Sequence, residues 1–340
     1  MLAQFTDTKR LIQKLSMGRM TNAAAIYGSY QFSRLTKRAL IKGMPISISI
    51  EPTTSCNLRC PECPSGLRSF TRPTGMLNPT FFKSMIDELA QHISYLTFYF
   101  QGEPYLNTSF LEMVEYASQK NIFTATSTNA HYLNDERARQ TVESGLDRLI
   151  ISIDGTTQET YESYRVGGSL EKVIEGTKNL IAWKQRLKSA SPQVIFQFLV
   201  VRPNEHQVAD VRALASQLGV DKVVLKTAQI YDYKNGSPLI PTDKQYSRYE
   251  KQSDGSYDVK NGMLNECWRM WHSCVITWDG KVVPCCFDKD AHHVLGDLNK
   301  NSLRDIWFGD KYHAFRSSLI KSRDQIDICK NCTEGTKVWA

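Results

Sequence analysis

Nine cysteines fall into two groups separated by a long cysteine-free stretch. An odd count, with no apolar leader stretch at the N-terminus, argues for thiolate ligation over a disulfide framework. The first group, Cys56-Asn57-Leu58-Arg59-Cys60-Pro61-Glu62-Cys63, is a Cys-x3-Cys-x2-Cys loop. Three thiolates close in sequence suit three irons of a 4Fe–4S cube and leave the fourth iron open for a substrate or cofactor. A structural zinc would need a fourth ligand, and no further Cys or His lies near in sequence; zinc completed from afar, or buried free thiols, are the alternatives. In the second group twelve residues separate Cys267 from Gly280 and four separate Gly280 from Cys285, with Cys329-Lys330-Asn331-Cys332 beyond. A hairpin at Gly280 would bring Cys267 toward Cys285, and the short Cys-x2-Cys loop supplies another pair. Four thiolates suit zinc or an iron–sulfur cube equally. Cys274 is a substitute ligand and Cys286 a spare packed thiol. Asp288 and Asp290 are candidate proton acceptors beside the hairpin, with surface acids as the ordinary reading, and His292-His293 reads as a solvated turn.

These groups need a scaffold, and the 340-residue chain shows one. Apolar, β-rich runs at Ile46–Ile50, Tyr95–Phe100, Ile122–Thr126, Arg148–Ile153, Val194–Val201 and Lys222–Leu225 alternate with helical patterns at Pro79–Gln91, Ser109–Lys120, Asp135–Ser144, Leu170–Leu187 and Glu205–Leu218. Crossovers of helical length imply a parallel sheet, and six units fall short of a closed eight-fold barrel. The expected fold is therefore α/β, a partial (β/α)6 TIM-like barrel over 45–230. A small Cys-rich α+β extension follows over 231–340, with a hairpin at Cys274–Pro284 and helices near Ser302–Trp307 and Lys311–Lys321. Residues 1–44 form a basic arm of two helices, expected over 8–20 and 22–41.

That arm carries eight basic side chains and one acid, Asp7, while the rest of the chain holds 34 of each sign. A balanced body gives no reason to expect nucleic acid as a partner. The arm reads first as a cap packed on the body, and second as a surface for peripheral membrane or polyanion contact. No apolar run approaches the ~18 residues of a spanning helix, and a cytoplasmic location is expected.

The three-cysteine loop on the first strand resembles that of the radical SAM superfamily. Four further strand-end motifs support the likeness, because ligands bind at the carboxyl ends of parallel strands. Gln101-Gly102-Glu103-Pro104 is similar to the family's Gly-Gly-Glu, with Gln101 in place of the first Gly. The resemblance implies that Gly102 and Glu103 hold the methionine amino group of S-adenosylmethionine (SAM). It implies that Asn129, in Ser127-Thr128-Asn129, contacts the ribose, and that Ser152 and Arg165 reach the methionine carboxylate. Glu62 stands where the family often has an aromatic. The later cysteines resemble the SPASM and shorter twitch extensions. That implies one auxiliary 4Fe–4S cluster on Cys267, Cys285, Cys329 and Cys332, a full pair of clusters needing more cysteines than the six present.

The implied activity is reductive cleavage of SAM to a 5′-deoxyadenosyl radical, fed by a reductant such as flavodoxin or ferredoxin. The expected reaction is oxidation of a small molecule such as a sugar-type alcohol, with the auxiliary cluster accepting the electron. The arm looks too short and too helical for the leader-binding domain of peptide maturases. A peptide- or protein-modifying SPASM maturase is the alternative. A non-enzymatic zinc or iron–sulfur interaction protein is the alternative of another class. No catalytic side chain is assigned.

Overall fold

The computed structural model describes residues 2–260 and 263–333, with side chains from residue 7 onward. Of the extension expected over 231–340, residues 261–262 and 334–340 lie outside the described residues.

Six strands follow the sequence alternation: β1 (Ser47–Ile50), β2 (Tyr95–Phe98), β3 (Phe123–Thr128), β4 (Arg148–Ser152), β5 (Gln193–Val200) and β6 (Lys222–Thr227). Each pairs in parallel with the next. Period-two alternation sorts their side chains. Leu96, Phe98, Leu149, Ile151, Val194, Phe196 and Phe198 are fully buried in the main apolar core. The opposite row, including Thr97, Arg148, Gln193, Gln197 and Lys222, lines a polar lumen. This is the partial (β/α)6 barrel expected from the sequence, with a polar lumen within.

A short antiparallel pair, β7 (Tyr249–Lys251) with β8 (Tyr257–Val259), opens the extension. The hairpin of the Cys-rich extension then rejoins the main sheet. β9 (Ser273–Ile276) lies parallel to β1, with Cys274 opposite Ile48; β10 (Lys281–Val283) and β11 (Gly296–Asp297) follow antiparallel. One nine-stranded sheet thus runs β11-β10-β9-β1-β2-β3-β4-β5-β6. Gly280 makes the β9–β10 turn at φ +84°, a conformation glycine adopts without Cβ strain.

The arm folds as α1 (Leu2–Gln13) and α2 (Met17–Thr36). The break falls earlier than the expected residue 21, because the Ser16 hydroxyl caps α2 by accepting from the Arg19 amide at 3.2 Å. The arm covers the amino ends of the strands. Asp7 accepts from Arg148, and Lys14 donates to Asp147 at 2.5 Å and to the Ile122 carbonyl. Arg19 is buried and gives its guanidinium to the carbonyls of Lys14, Ala90, Lys120 and Asn121. Leu89 ends one helix and Gln119 another, so this single cation satisfies exposed carbonyl ends of both. No described helix is long and apolar enough to cross a membrane.

Candidate active site

The chain leaving β1 is fixed before it reaches the cysteines. Glu51 is fully buried, and its carboxylate accepts two bonds from Arg72, at 2.8 and 2.6 Å. The chain returning from the loop is held from the extension, where Asp290 accepts from the Thr71 amide at 2.9 Å and from its hydroxyl. Asp288 is buried and accepts from the amides of His292 and His293. Both aspartates therefore brace loops; neither is the surface acid of the ordinary sequence reading, nor a free proton acceptor. Glu62 accepts from the Tyr231 amide at 2.9 Å and so ties the loop to the segment after β6.

Gly102 lies against this loop at φ +75°, where a Cβ would come within 2.2 Å of the Thr53 carbonyl oxygen. Only glycine permits that approach. Its amide donates to Ser65 at 2.9 Å, and the next amide, of Glu103, donates to the Ser55 carbonyl. The Glu103 carboxylate accepts from the Thr128 hydroxyl at 2.7 Å and from the Asn129 amide at 2.8 Å. Burial raises its pKa to about 7, against the pull of those donors and of Arg165. The Asn129 side-chain amide donates to Asn57, within the cysteine loop, at 2.8 Å. Ser152 lies beside Ser127, their hydroxyls 3.4 Å apart.

Arg165 is held by Asp154, whose carboxylate accepts from its Nε at 2.5 Å, while Nη1 lies 3.8 Å from the Cys60 sulfur. Burial works against the guanidinium charge, but Asp154 and the Cys60 thiol more than offset it. Asp154 is the residue that the sequence reading passed over. It sits inside the motif Ser152-Ile153-Asp154-Gly155, and a buried acid at a strand end next to an Arg is the signal that could have marked it.

Cys56, Cys60 and Cys63 share one cavity of about 180 Å³ with Gly102, Glu103, Asn129, Ser152 and Arg165. No fourth cysteine and no histidine lines that cavity among the described residues. Burial pushes the Cys56 thiol up to about 11 and raises Cys60 as well. Metal ligation is the ordinary way to hold such thiols deprotonated. Three thiolates in one cavity suit a cube with its fourth iron open. Tyr99 and Gln197 line both this cavity and the lumen beneath it, which has about 460 Å³ and is floored by Asp7.

Among the later cysteines several are close enough to shift one another's thiols. The Cys285 thiol is raised by burial and then by Cys286, Cys267 and Cys332 as electrostatic neighbours, and Cys329 neighbours Cys332. Arg323, buried, donates to the Cys332 sulfur at 3.3 Å and to the Glu266 carbonyl at 2.8 Å. Cys267, Cys332 and Cys329 offset the desolvation of its charge. No sequence pattern singled it out. Cys274 faces the core from β9, its nearest charge being Arg316, and Cys286 packs beside Phe100, Val275 and Val283.

Residues 50–189 match the radical SAM superfamily, and residues 267–333 match SPASM, an iron-sulfur cluster-binding domain. The chain belongs to the radical SAM superfamily. Its 4Fe–4S and SAM requirements follow from that membership, as does an auxiliary iron–sulfur site. It is similar to the tungsten-containing aldehyde ferredoxin oxidoreductase cofactor-modifying protein of Pyrococcus furiosus, 25% identical over 84% of this chain and 86% of that one. It is also similar to the PqqA peptide cyclase of Gluconobacter oxydans, 22% identical over 87% of this chain and 84% of the relative. Native anSMEcpe, solved with bound AdoMet and Cp18Cys peptide, shares the fold at TM-score 0.60 and 18% identity, covering 85% of this chain and 88% of that one.

Proposed function

We propose that this radical SAM enzyme modifies a peptide or protein side chain, so that the peptide alternative takes precedence over oxidation of a free sugar-type alcohol. The relatives support this by what they act on: one is a peptide cyclase, and one fold neighbour was solved with a peptide. The observation that carries the reading is the junction of the two cavities. Tyr99 and Gln197 belong to both, so a side chain entering the lumen lies directly below the cysteine rim.

In this reading residues 1–44 floor the barrel, 45–230 bind SAM and 231–340 carry the auxiliary cluster. Cys56, Cys60 and Cys63 hold the 4Fe–4S cluster, and Cys267, Cys285, Cys329 and Cys332 hold the auxiliary one. When bound, these groups and SAM supply a 5′-deoxyadenosyl radical for hydrogen abstraction and an electron acceptor for oxidation. The protein's part is positioning. Glu103, fixed by Thr128 and Asn129, offers a carboxylate to the SAM amino group. Arg165, oriented by Asp154, offers its remaining N–H groups to the SAM carboxylate. Asn129 ties the cysteine loop to the ribose side, and Ser152 completes the polar rim. Lys289 lies over the Tyr231 ring, 4.7 Å from its centroid, with Cys63 and Cys286 as electrostatic neighbours. A flavodoxin- or ferredoxin-type protein is the proposed electron donor.

The test is stimulation of 5′-deoxyadenosine formation by fractions of a host-cell extract, using anaerobically reconstituted enzyme, SAM and dithionite. A peptide fraction should stimulate, and proteinase treatment of that fraction should abolish the effect. Stimulation confined to the low-mass, proteinase-resistant fraction would restore the small-molecule reading.

A further inference from the structure

The outward face of α2 has no part in the chemistry above, and it has the wrong composition for a solvated surface. Ile26, Tyr30 and Ser33 turn inward, and Tyr30 packs on Trp268 and Trp271 beside the auxiliary set. On the opposite side Met17, Met20, Tyr27 and Leu35 fall on one stripe at helical spacing, with Phe32 next to it. Leu35 is 83% exposed, Met17 74% and Met20 50%. Tyr27 touches Trp268 edge-on and marks one flank of the stripe. From Met17 to Leu35 the stripe is about 27 Å long at 1.5 Å per residue. Scattered exposed apolar residues need no explanation, but Met17, Met20, Tyr27, Phe32 and Leu35 exposed along one helix, interrupted on that face by Gln31, do.

The arm's own charges are cations except for Asp7. Of the arm's eight cations, Arg10 and Lys14 are engaged with Asp147, Arg19 with backbone carbonyls and Arg34 with Glu266. Lys9, Lys37, Arg38 and Lys42 are left exposed. The arm's one acid, Asp7, is buried against Arg148. Lys37 and Arg38 follow the stripe directly, at the carboxyl end of α2. The helix dipole favours cations there, but it gives no account of the apolar stripe before them. Apolar residues along one helix face, ending in exposed cations, match the headgroup layer of an anionic bilayer.

We propose that the outward face of α2 is a membrane-docking strip that seats the enzyme on anionic lipid, with Met17, Met20 and Leu35 entering the interface and Lys37, Arg38 and Lys42 meeting headgroups. The inference is independent of the substrate and of the radical chemistry.

The test is flotation of the full chain with two kinds of vesicle, pure phosphatidylcholine and phosphatidylcholine containing about 30% phosphatidylglycerol. The protein should float with the anionic vesicles, and less so as salt is raised. Met17→Glu/Leu35→Glu should weaken partitioning about tenfold or more. Met17→Ser/Leu35→Ser should weaken it in the same direction without adding charge. Lys37→Glu/Arg38→Glu should remove the preference for anionic over neutral vesicles. Unchanged far-UV circular dichroism and iron content would show that the variants are folded. Wild type that floats with neither vesicle, or with both equally and indifferently to Lys37→Glu/Arg38→Glu, would overturn the proposal. So would a dimer in solution that Leu35→Glu converts to monomer without any flotation, which would assign the face to a second copy of the chain.

Discussion

The two cysteine sets stand in different surroundings. The rim set lies in a loop with space in front of it, where Glu103, Asn129, Ser152 and Arg165 crowd the same cavity. In the proposed reading four cysteines would complete the hairpin set and leave no open position. Its cysteines come from Cys267, the strand hairpin and the last short loop, and a buried arginine fills the space behind Cys332. An open position belongs to a site that binds and transforms, a closed one to a site that is held. The supports differ accordingly. At the rim Asp154 holds Arg165 through Nε. Arg323, by contrast, is spent on the cysteine sulfur and backbone carbonyls.

The sharpest way to break this contrast is at Glu103. Glu103→Gln keeps the shape but removes the charge, and loss of a charge-assisted bond of about 1.5–3 kcal/mol should weaken SAM binding roughly 10- to 100-fold. Because burial sets this carboxyl at about 7, the carboxylate is lost as pH falls through that value. SAM affinity should fall with it in wild type and stay flat in Glu103→Gln. Equilibrium binding across pH reads both, and an unchanged affinity would remove Glu103 from the site.

Arg323→Gln addresses the closed site. It leaves the sulfur without its cation and should cost about 3 kcal/mol of stability. The expected signature is faster loss of auxiliary iron on chelator challenge, with substrate-independent SAM cleavage retained. Equal loss from both sites would show that the two sets do not stand on separate supports. Asp154→Asn is milder. It frees Arg165 to reorient and should weaken SAM binding about tenfold with iron content unchanged. Rescue by Asp154→Glu would show a positioning role. Smallest is Asp290→Asn, which weakens the bonds to Thr71 that join the extension to the cysteine loop. A loss of about 1 kcal/mol in thermal unfolding is expected, with SAM affinity intact.

The barrel could be read from the chain because strand and helix alternate at lengths that only parallel crossovers satisfy. The site could be read because its residues follow strands directly, so that local sequence order becomes spatial order on one rim. Pairings across long separations were not legible. Nothing in Ser273–Ile276 says that it will lie against β1, since a fully buried strand carries no mark of its neighbour. The same holds for Arg323 behind Cys332, and for Glu51 with Arg72. A lone Arg looks like a surface residue until the fold encloses it. The basic arm showed its charge in the sequence, but not that half of that charge is consumed on the body while an apolar stripe is left outside.

The most direct test of the central contrast is 5′-deoxyadenosine formation from SAM and dithionite, with iron and sulfide counted on the same samples. Wild type is compared with Cys56→Ala/Cys60→Ala/Cys63→Ala and with Cys285→Ala/Cys332→Ala, all reconstituted anaerobically. Nucleoside should come from wild type and from the hairpin variant, each variant losing about half the iron, and none from the rim variant. Nucleoside from the rim variant, or its absence from a hairpin variant whose rim cluster is loaded, would contradict the account.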